Sequence, residues 1–472
     1  MVGWNDMAYE LRLKVYEWVL EEYPPGKLTD YSLVSKEWQQ FFEKEIYRHI
    51  TIDRRYFKTF YRYIQGRKQL VKHIWLRIEL DRYECDVCDH THLNDAFDND
   101  NLELRRSIKG LFTILHSWDE DGASDIKLEI SIWSRSDFDH TFREDVYIDS
   151  DFNLICELDR PEGPCDETFR EMDGQNMWRR PYGLGLSPDM EGLPRVRAIG
   201  GLLVRRQTRC VIGVKTIQQI IDRLPKLKEI FYEPRRKYYL IPHIDPYLGY
   251  GELMLLRLPG TLRRVVVFED FNEAHEKHIL SRNPLAQSQP RVRSPSPEVG
   301  IAMAHLSLSL EKLSISHMTN ATQFFNACKS HWVWYNLREL ALTTNLMRSM
   351  TPETSDLIVR AGQFAMKMPK LHFMELWHGK SKTAAKFSDW TAISWAATYR
   401  IRFTREIVDQ WSKVAAEVRG HRLNVFGGQT VDPIDVNSHA AAIQELQLLC
   451  VVAHPASLEE IRLEAINHSL LN

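Results

Sequence analysis

The stretch Leu310-Glu311-Lys312-Leu313-Ser314-Ile315 carries apolar side chains at its first, fourth and sixth positions, with charged or small polar residues between them. Side chains of an extended strand alternate between two faces, so Leu313 and Ile315 can share one face while Lys312 and Ser314 take the other. Working outward, the same spacing returns as Leu337-Leu340-Leu342 and Leu371-Met374-Leu376 towards the C-terminus. Towards the N-terminus it returns as Leu262-Val265-Val267, Leu227-Ile230-Tyr232 and Val71-Ile74-Leu76. The long interval before Leu310 holds residues 281–300, rich in Pro, Ser, Gln and Arg. That composition cannot bury enough apolar surface to offset the entropy of ordering, so a flexible loop is predicted there. With the loop set aside, the recurrence becomes a credible repeat.

Helical spacing fills the intervals. Ile217, Ile220, Ile221 and Leu224 precede the Leu227 strand, and Thr351-Pro352 supplies a cap and a first-turn proline for a helix carrying Leu357, Ala361, Phe364, Ala365 and Met368. Thr404 opens another helix, with Val408, Trp411, Val414 and Ala415 on one face. Strands alternating with helices predict an α/β chain whose parallel sheet has its helices outside. The strand spacing resembles that of a leucine-rich repeat, which makes residues 53–472 an irregular solenoid of that kind. Residues 135–194 break the pattern and are read as an insertion with long loops. Pro455-Ala456-Ser457 can open a terminal helix, while Leu458-Ile461-Leu463 fits a final strand equally well.

Composition narrows the function. The 472 residues hold 61 Lys and Arg against 64 Asp and Glu, a formal net charge of -3, which argues against a dedicated nucleic-acid binder. Seven cysteines spread through a long chain do not form a disulfide scaffold, so a reducing compartment, cytoplasm or nucleus, is expected. No signal segment opens the sequence and no apolar run is long enough to span a membrane. No nucleophile elbow, Walker loop or dinucleotide fingerprint appears, so no catalytic residue and no cofactor is assigned. A pair of unremarkable carboxylates in an unrecognised α/β enzyme stays open as an alternative.

Two clusters resemble metal sites. Cys85, Cys88, His90 and His92 are zinc-type ligands, but the histidines are too close together for a finger, and an unliganded loop is the favoured reading. His275-Glu276-Lys277-His278 lacks the four-residue histidine spacing of a metalloprotease helix and reads as surface charge.

The first fifty residues contain three short amphipathic helices. Leu11, Val15, Trp18 and Val19 lie along the first, Leu28, Tyr31, Leu33 and Val34 along the second, and Trp38, Phe41, Phe42 and Ile46 along the third. Helices this short make a poor independent core and gain by burying their apolar faces against something else. Met7-Ala8-Tyr9-Glu10-Leu11-Arg12 followed by Leu33-Val34-Ser35-Lys36-Glu37-Trp38 resembles an F-box, with Met7 and Ala8 in place of the usual Leu-Pro and Ser35 in place of Cys. Together with Val71–Leu80 and Phe268-Glu269-Asp270-Phe271-Asn272-Glu273, the layout is similar to a family of uncharacterised F-box proteins from filamentous fungi. A helical cap on the repeats is the alternative for residues 1–52.

The resemblance implies an interaction protein. Leu11, Val15, Leu33, Val34 and Trp38 would dock on a Skp-type adaptor, and through it on the cullin and RING protein of an SCF ubiquitin ligase. The repeat domain would hold a protein substrate of unstated identity on its open sheet face, with Phe231, Glu233, Arg264, Phe268, Glu375 and Trp377 as the contact residues. Two alternatives stand beside this. The chain could be an adaptor-bound scaffold without ligase activity, or the insertion 135–194 could roof the sheet and bury those aromatics as a second core.

Overall fold

A computed structural model describes residues 4–23, 27–82, 94–118, 125–136, 186–208, 210, 212–235, 258–271, 297–379, 383–388, 392–397, 402–426, 429–430 and 438–471. Each apolar triplet read above lies in or just ahead of a strand of one sheet. Its strands are β1 (His49–Ile52), β2 (His73–Leu80), β3 (Ile126–Ser134), β4 (Ile199–Val204), β5 (Glu229–Tyr232), β6 (Arg264–Phe268), β7 (Lys312–Ser316), β8 (Glu339–Thr343), β9 (Phe373–His378), β10 (Thr383–Ser388), β11 (Ala392–Ala397), β12 (Asn424–Val425) and β13 (Gln429–Thr430). Among the described residues they form a single sheet in which spatial order follows chain order from β1 to β12, with β13 also pairing with β11. Pairing is parallel from β1 to β9. The expectation of an all-parallel sheet fails at β10, which runs antiparallel to both β9 and β11. The link between β9 and β10 is too short for the crossover that a parallel pair needs.

Register turns the recurring triplet into continuous rows. Ile50, Ile74, Leu128, Leu202, Ile230, Val265, Leu313, Leu340, Met374, Phe387 and Ile393 sit side by side across the sheet. This row and the one beside it (Leu76, Ile130, Tyr232, Val267, Ile315, Leu342, Leu376) pack into the main core with α5 (Asn94–His116), α6 (Val214–Ile221), α7 (Pro297–Ser307), α8 (Ala321–Ala327), α9 (Pro352–Ala365) and α10 (Arg405–Arg419), numbered after four shorter N-terminal helices. Burying one such side chain stabilises by about 1.5–3 kcal/mol, so the rows carry most of the fold. The capping signals are realised: Thr351 accepts from the Thr354 amide at 3.3 Å, and Thr404 accepts from the Ile407 amide at 3.5 Å. At Gly362 an added Cβ would stand 2.8 Å from Gln410 Cγ, so glycine is what lets α9 and α10 pack this closely.

The N-terminal helices are α1 (Tyr9–Glu22), α2 (Leu28–Ser32) and α3 (Lys36–Ile46), followed by α4 (Phe57–Tyr63). Contrary to the expectation of a poor private core, Tyr16, Val19, Leu28 and Phe42 are fully buried among Trp4, Tyr31, Trp38 and Phe41. Aromatic size compensates for helix length: Tyr16 stacks on Phe41 at 4.6 Å and meets Phe42 edge-on at 5.7 Å. Arg67, just beyond α4, ties this unit to the sheet by reaching Glu43 at 2.7 Å and lying over the Tyr47 ring at 5.1 Å.

Two predicted segments change at their ends. α7 begins at Pro297 with Val299 and Gly300 buried, so the last residues of the 281–300 loop are helical, and 281–296 lie outside the described residues. Of the 135–194 insertion, 137–185 lie outside them; its end is part of the core, with Leu186, Met190 and Leu193 buried and Leu186 bridged to Ile212. The open choice at Pro455 resolves as a helix.

Leu340→Ala is expected to cost about 2–5 kcal/mol of unfolding free energy by leaving a cavity in the central row. Lys312→Ala, which removes a partly exposed pair with Glu339, should cost less than about 1 kcal/mol. Urea unfolding of both variants checks the contrast.

Candidate functional site

On α1 the side chains of Leu11, Val15 and Trp18, at helical spacing, stay on the outer side, while Tyr16 and Val19 turn inward. Val19 therefore leaves the face assigned to it. Leu11, Trp18, Leu33 and Val34 are exposed, Leu33 at 80% and Val34 at 61%, which is unusual for aliphatic side chains beside a packed core. The reason is local: Ser35 caps α3 by accepting from the Trp38 amide at 3.4 Å, which holds Leu33 and Val34 in the turn ahead of the helix. Arg12 on α1 meets Glu37 on α3 at 2.7 Å and fixes the two helices together. Of the expected adaptor residues, Leu11, Leu33 and Val34 are open and Val15 is half-buried. Trp38 is chiefly a core residue, packed on Trp4, Tyr16 and Phe42.

The second candidate face is the side of the sheet away from the main core. Across it run Trp75, Glu129, Leu203, Phe231, Val266, Ser314, Ala341, Glu375 and Lys386 in register. The expectation of an open face here is corrected by the structure: Phe231, Glu233, Phe268, Glu375 and Trp377 are all buried, and Arg264 alone of the expected contact residues is partly exposed. The cover is the chain's own C-terminal segment, containing α11 (His439–Glu445) and α12 (Pro455–Leu471). Phe268 and Trp377 pack with Ile443, Leu446, Val452 and Ile461, and Phe268 also stacks on His439 at 5.7 Å. The roof thus comes from residues 438–466 and not, among the described residues, from the 135–194 insertion.

Charges hold the cover down. Arg205 and Arg206 directly follow β4, whose apolar residues draw them out of water. Arg205 places Nη1 3.1 Å from Glu129 Oε1 and Nη2 2.8 Å from Glu460 Oε1, and its Nε donates to Ser457 Oγ at 3.0 Å. Arg206 grips Glu464 with both Nη atoms at 2.7 Å and has Nε 3.1 Å from Asp270 Oδ1. Glu460 and Glu464 lie four residues apart on one face of α12 and so address the two guanidinium groups together. Two sheet carboxylates take the backbone of the segment: Glu375 accepts from the Leu449 and Cys450 amides at 2.7 and 2.8 Å. Glu233 accepts from the His454 amide at 2.6 Å and the Ser457 hydroxyl at 2.5 Å, at the start of α12.

These surroundings shift proton affinities. Burial pushes Glu129 up, yet Arg205 and His73 outweigh it and hold the carboxyl at about 2. Burial likewise raises Asp270, and Arg206, Arg235 and His439 bring it below the ordinary value. Burial dominates at Glu233, raised to about 7 despite Arg205 and its donors, and it also raises Glu375. Burial and the nearby Arg205 depress His454 to about 3.

Sequence reading missed Arg205, Arg206, Glu129, Ser457, Glu460 and Glu464. The available signal was the four-residue spacing of Glu460 and Glu464 and a charged pair abutting an apolar strand. Cys85, Cys88, His90 and His92, and His275 to His278, lie outside the described residues; among those described, no three His, Cys, Asp or Glu side chains are grouped to hold a metal ion. No described helix is long and apolar enough to cross a membrane.

A family of unknown function (DUF6546) matches residues 257–454, which take in β6 to β13 and the cover as far as His454. No curated protein matches the chain.

The shifts fix the sign of the acid response. His454 is neutral when folded, so its contribution is lost as pH falls from 6.5 towards 3. Glu233, which ionises near 4.5 unfolded and about 7 folded, contributes with the opposite sign across that interval, as does Glu375. Below about pH 4.5 those two are protonated in both states, while Glu129, Asp270 and His454 all favour unfolding as they take up protons. Stability should therefore change little between pH 5 and 6.5 (roughly the window of opposed signs) and fall steeply below 4.5. Glu129→Gln should make the acid limb shallower, read from urea midpoints across the range.

Proposed function

We propose that the chain is a substrate-recognition subunit of an SCF-type ubiquitin ligase. Its N-terminal helices dock on a Skp-type adaptor, and its sheet domain, read as an irregular leucine-rich-repeat solenoid, holds a protein partner. The observation that carries this reading is the exposed apolar set Leu11, Trp18, Leu33 and Val34 on helices that already have a packed core of their own. A small unit that completes its core and still leaves such side chains in water is suited to a second apolar surface. Strand order that follows chain order, with an apolar triplet at β2 and at each strand from β5 to β9, supports the solenoid reading. In this function the chain does no covalent chemistry. It holds a partner near a ubiquitin-charged enzyme recruited through cullin and RING subunits, so its contribution is proximity and orientation.

The buried sheet face favours one further reading, an adaptor-bound scaffold without substrate exchange. Cullin separates the two: co-purification of adaptor and cullin supports the ligase subunit, and adaptor alone supports the scaffold.

Leu11→Asp places an unpaired carboxylate in the proposed apolar interface and should weaken adaptor binding by about a hundredfold or more. Leu11 is exposed, so the thermal midpoint should stay within about 2 °C of the parent. Titration of a purified Skp-type adaptor checks this; equal affinity of variant and parent would sink the docking assignment.

A further inference from the structure

The sheet's polar face and the C-terminal segment meet in a way that differs from the rest of the core. The main apolar core draws its fully buried residues from Ile52 to Val414 and takes none from 438–471. The segment instead joins smaller clusters with Phe268, Trp377, Ala341, Ala384 and Ala396, and with Phe231 through Val451. Much of the remaining contact is directional and polar. Sheet carboxylates Glu375 and Glu233 accept backbone amides, a contact any extended chain can make. Selectivity rests on the side chains that follow, Ser457, Glu460 and Glu464, against Glu233, Arg205 and Arg206. Buried ion pairs give little net stability relative to apolar packing while strongly penalising a missing partner. An interface built this way discriminates among occupants more than it locks one in place.

We infer that this face is a receptor for a protein segment that runs as an irregular, non-helical stretch and turns into an acidic helix of the pattern Ser-x-x-Glu-x-x-x-Glu, and that residues 449–464 occupy it in cis. A partner is engaged by exchange for the chain's own segment, its carboxylates four residues apart taking the Arg205 and Arg206 guanidinium groups. This rests on the reading of the sheet domain as a partner-holding unit given above.

The test uses the full chain with a protease site placed within residues 431–437 and cut under native conditions. A labelled synthetic peptide of residues 438–471 is added in excess and followed by fluorescence anisotropy, with far-UV circular dichroism as a folding control. The cut segment should remain bound, and the labelled peptide should replace it. The same peptide carrying Glu460→Ala and Glu464→Ala should bind about a hundredfold more weakly, because it takes carboxylate partners from both buried arginines and leaves Arg205 with Glu129 and Arg206 with Asp270. The uncut chain should take up far less peptide, since its tethered segment competes at an effective concentration of millimolar order. Failure of the labelled peptide to enter a cut chain that keeps its dichroism would overturn the inference. Loss of fold on cutting would overturn it too, by making the segment integral to the core. Adaptor titration on the uncut chain is scored separately, so failure of docking at the N-terminal helices and failure of exchange at the sheet are distinguishable.

Discussion

Two adjacent arginines withdrawn from water at the end of a buried strand constrain the rest of the molecule. Moving a guanidinium group into the protein interior without a counter-charge costs several kcal/mol, so Arg205 and Arg206 require carboxylates from wherever the chain can bring them. Glu129 comes from the neighbouring strand β3, Asp270 from just beyond β6, and Glu460 and Glu464 from α12, at sequence separations of 255 and 258 from the arginines they meet. Closing the sheet with the C-terminal helix is thus the means by which the network is completed. Glu233 is the member held least firmly as an anion, raised by burial to about 7 while Arg205 is already shared between Glu129 and Glu460.

The sheet's two faces divide the work. On the helix side, rows of aliphatic side chains in strict register supply burial, which is strong and tolerant of detail. On the other side, aromatic residues alternate with charges, and what is gained is orientation: the segment fits in one register, set by Glu375, Glu233 and the two arginines. The N-terminal helices repeat this division on a smaller scale, with an aromatic interior and an apolar exterior at Leu11, Trp18, Leu33 and Val34 that stays exposed among the described residues.

The helix side was legible because its signal is local. Leu313-Ile315, Leu340-Leu342 and Met374-Leu376 announce strands by spacing alone, and Thr351 and Thr404 announce the helices that follow. Strand β4 was harder to read, since Ile199–Val204 holds two glycines and no polar side chain and so carries no alternation; β3 alternates from Ile126 to Ile132, but Asp125 stands where the recurring triplet would have its first apolar residue. The polar face was misread for a physical reason. Phe268 and Trp377 alternate with charges as exposed strand residues do, and Ser457, Glu460 and Glu464 look like the solvated side of a surface helix. Nothing within a short window reveals that these two polar surfaces face each other. Leu33 and Val34, read as part of the second helix, lie beyond its end at Ser32, and their exposure follows from the turn ahead of Ser35 and not from helical spacing.

α12 lies against the sheet through its glutamates, and a double-mutant cycle on Arg206 and Glu464 measures that contact directly. Unfolding free energies of Arg206→Ala, Glu464→Ala and the double variant should show a favourable coupling of about 1–3 kcal/mol, as for residues in one buried network. Single-variant losses that add to within about 0.3–0.5 kcal/mol would mean that the C-terminal helix does not rest on the arginines.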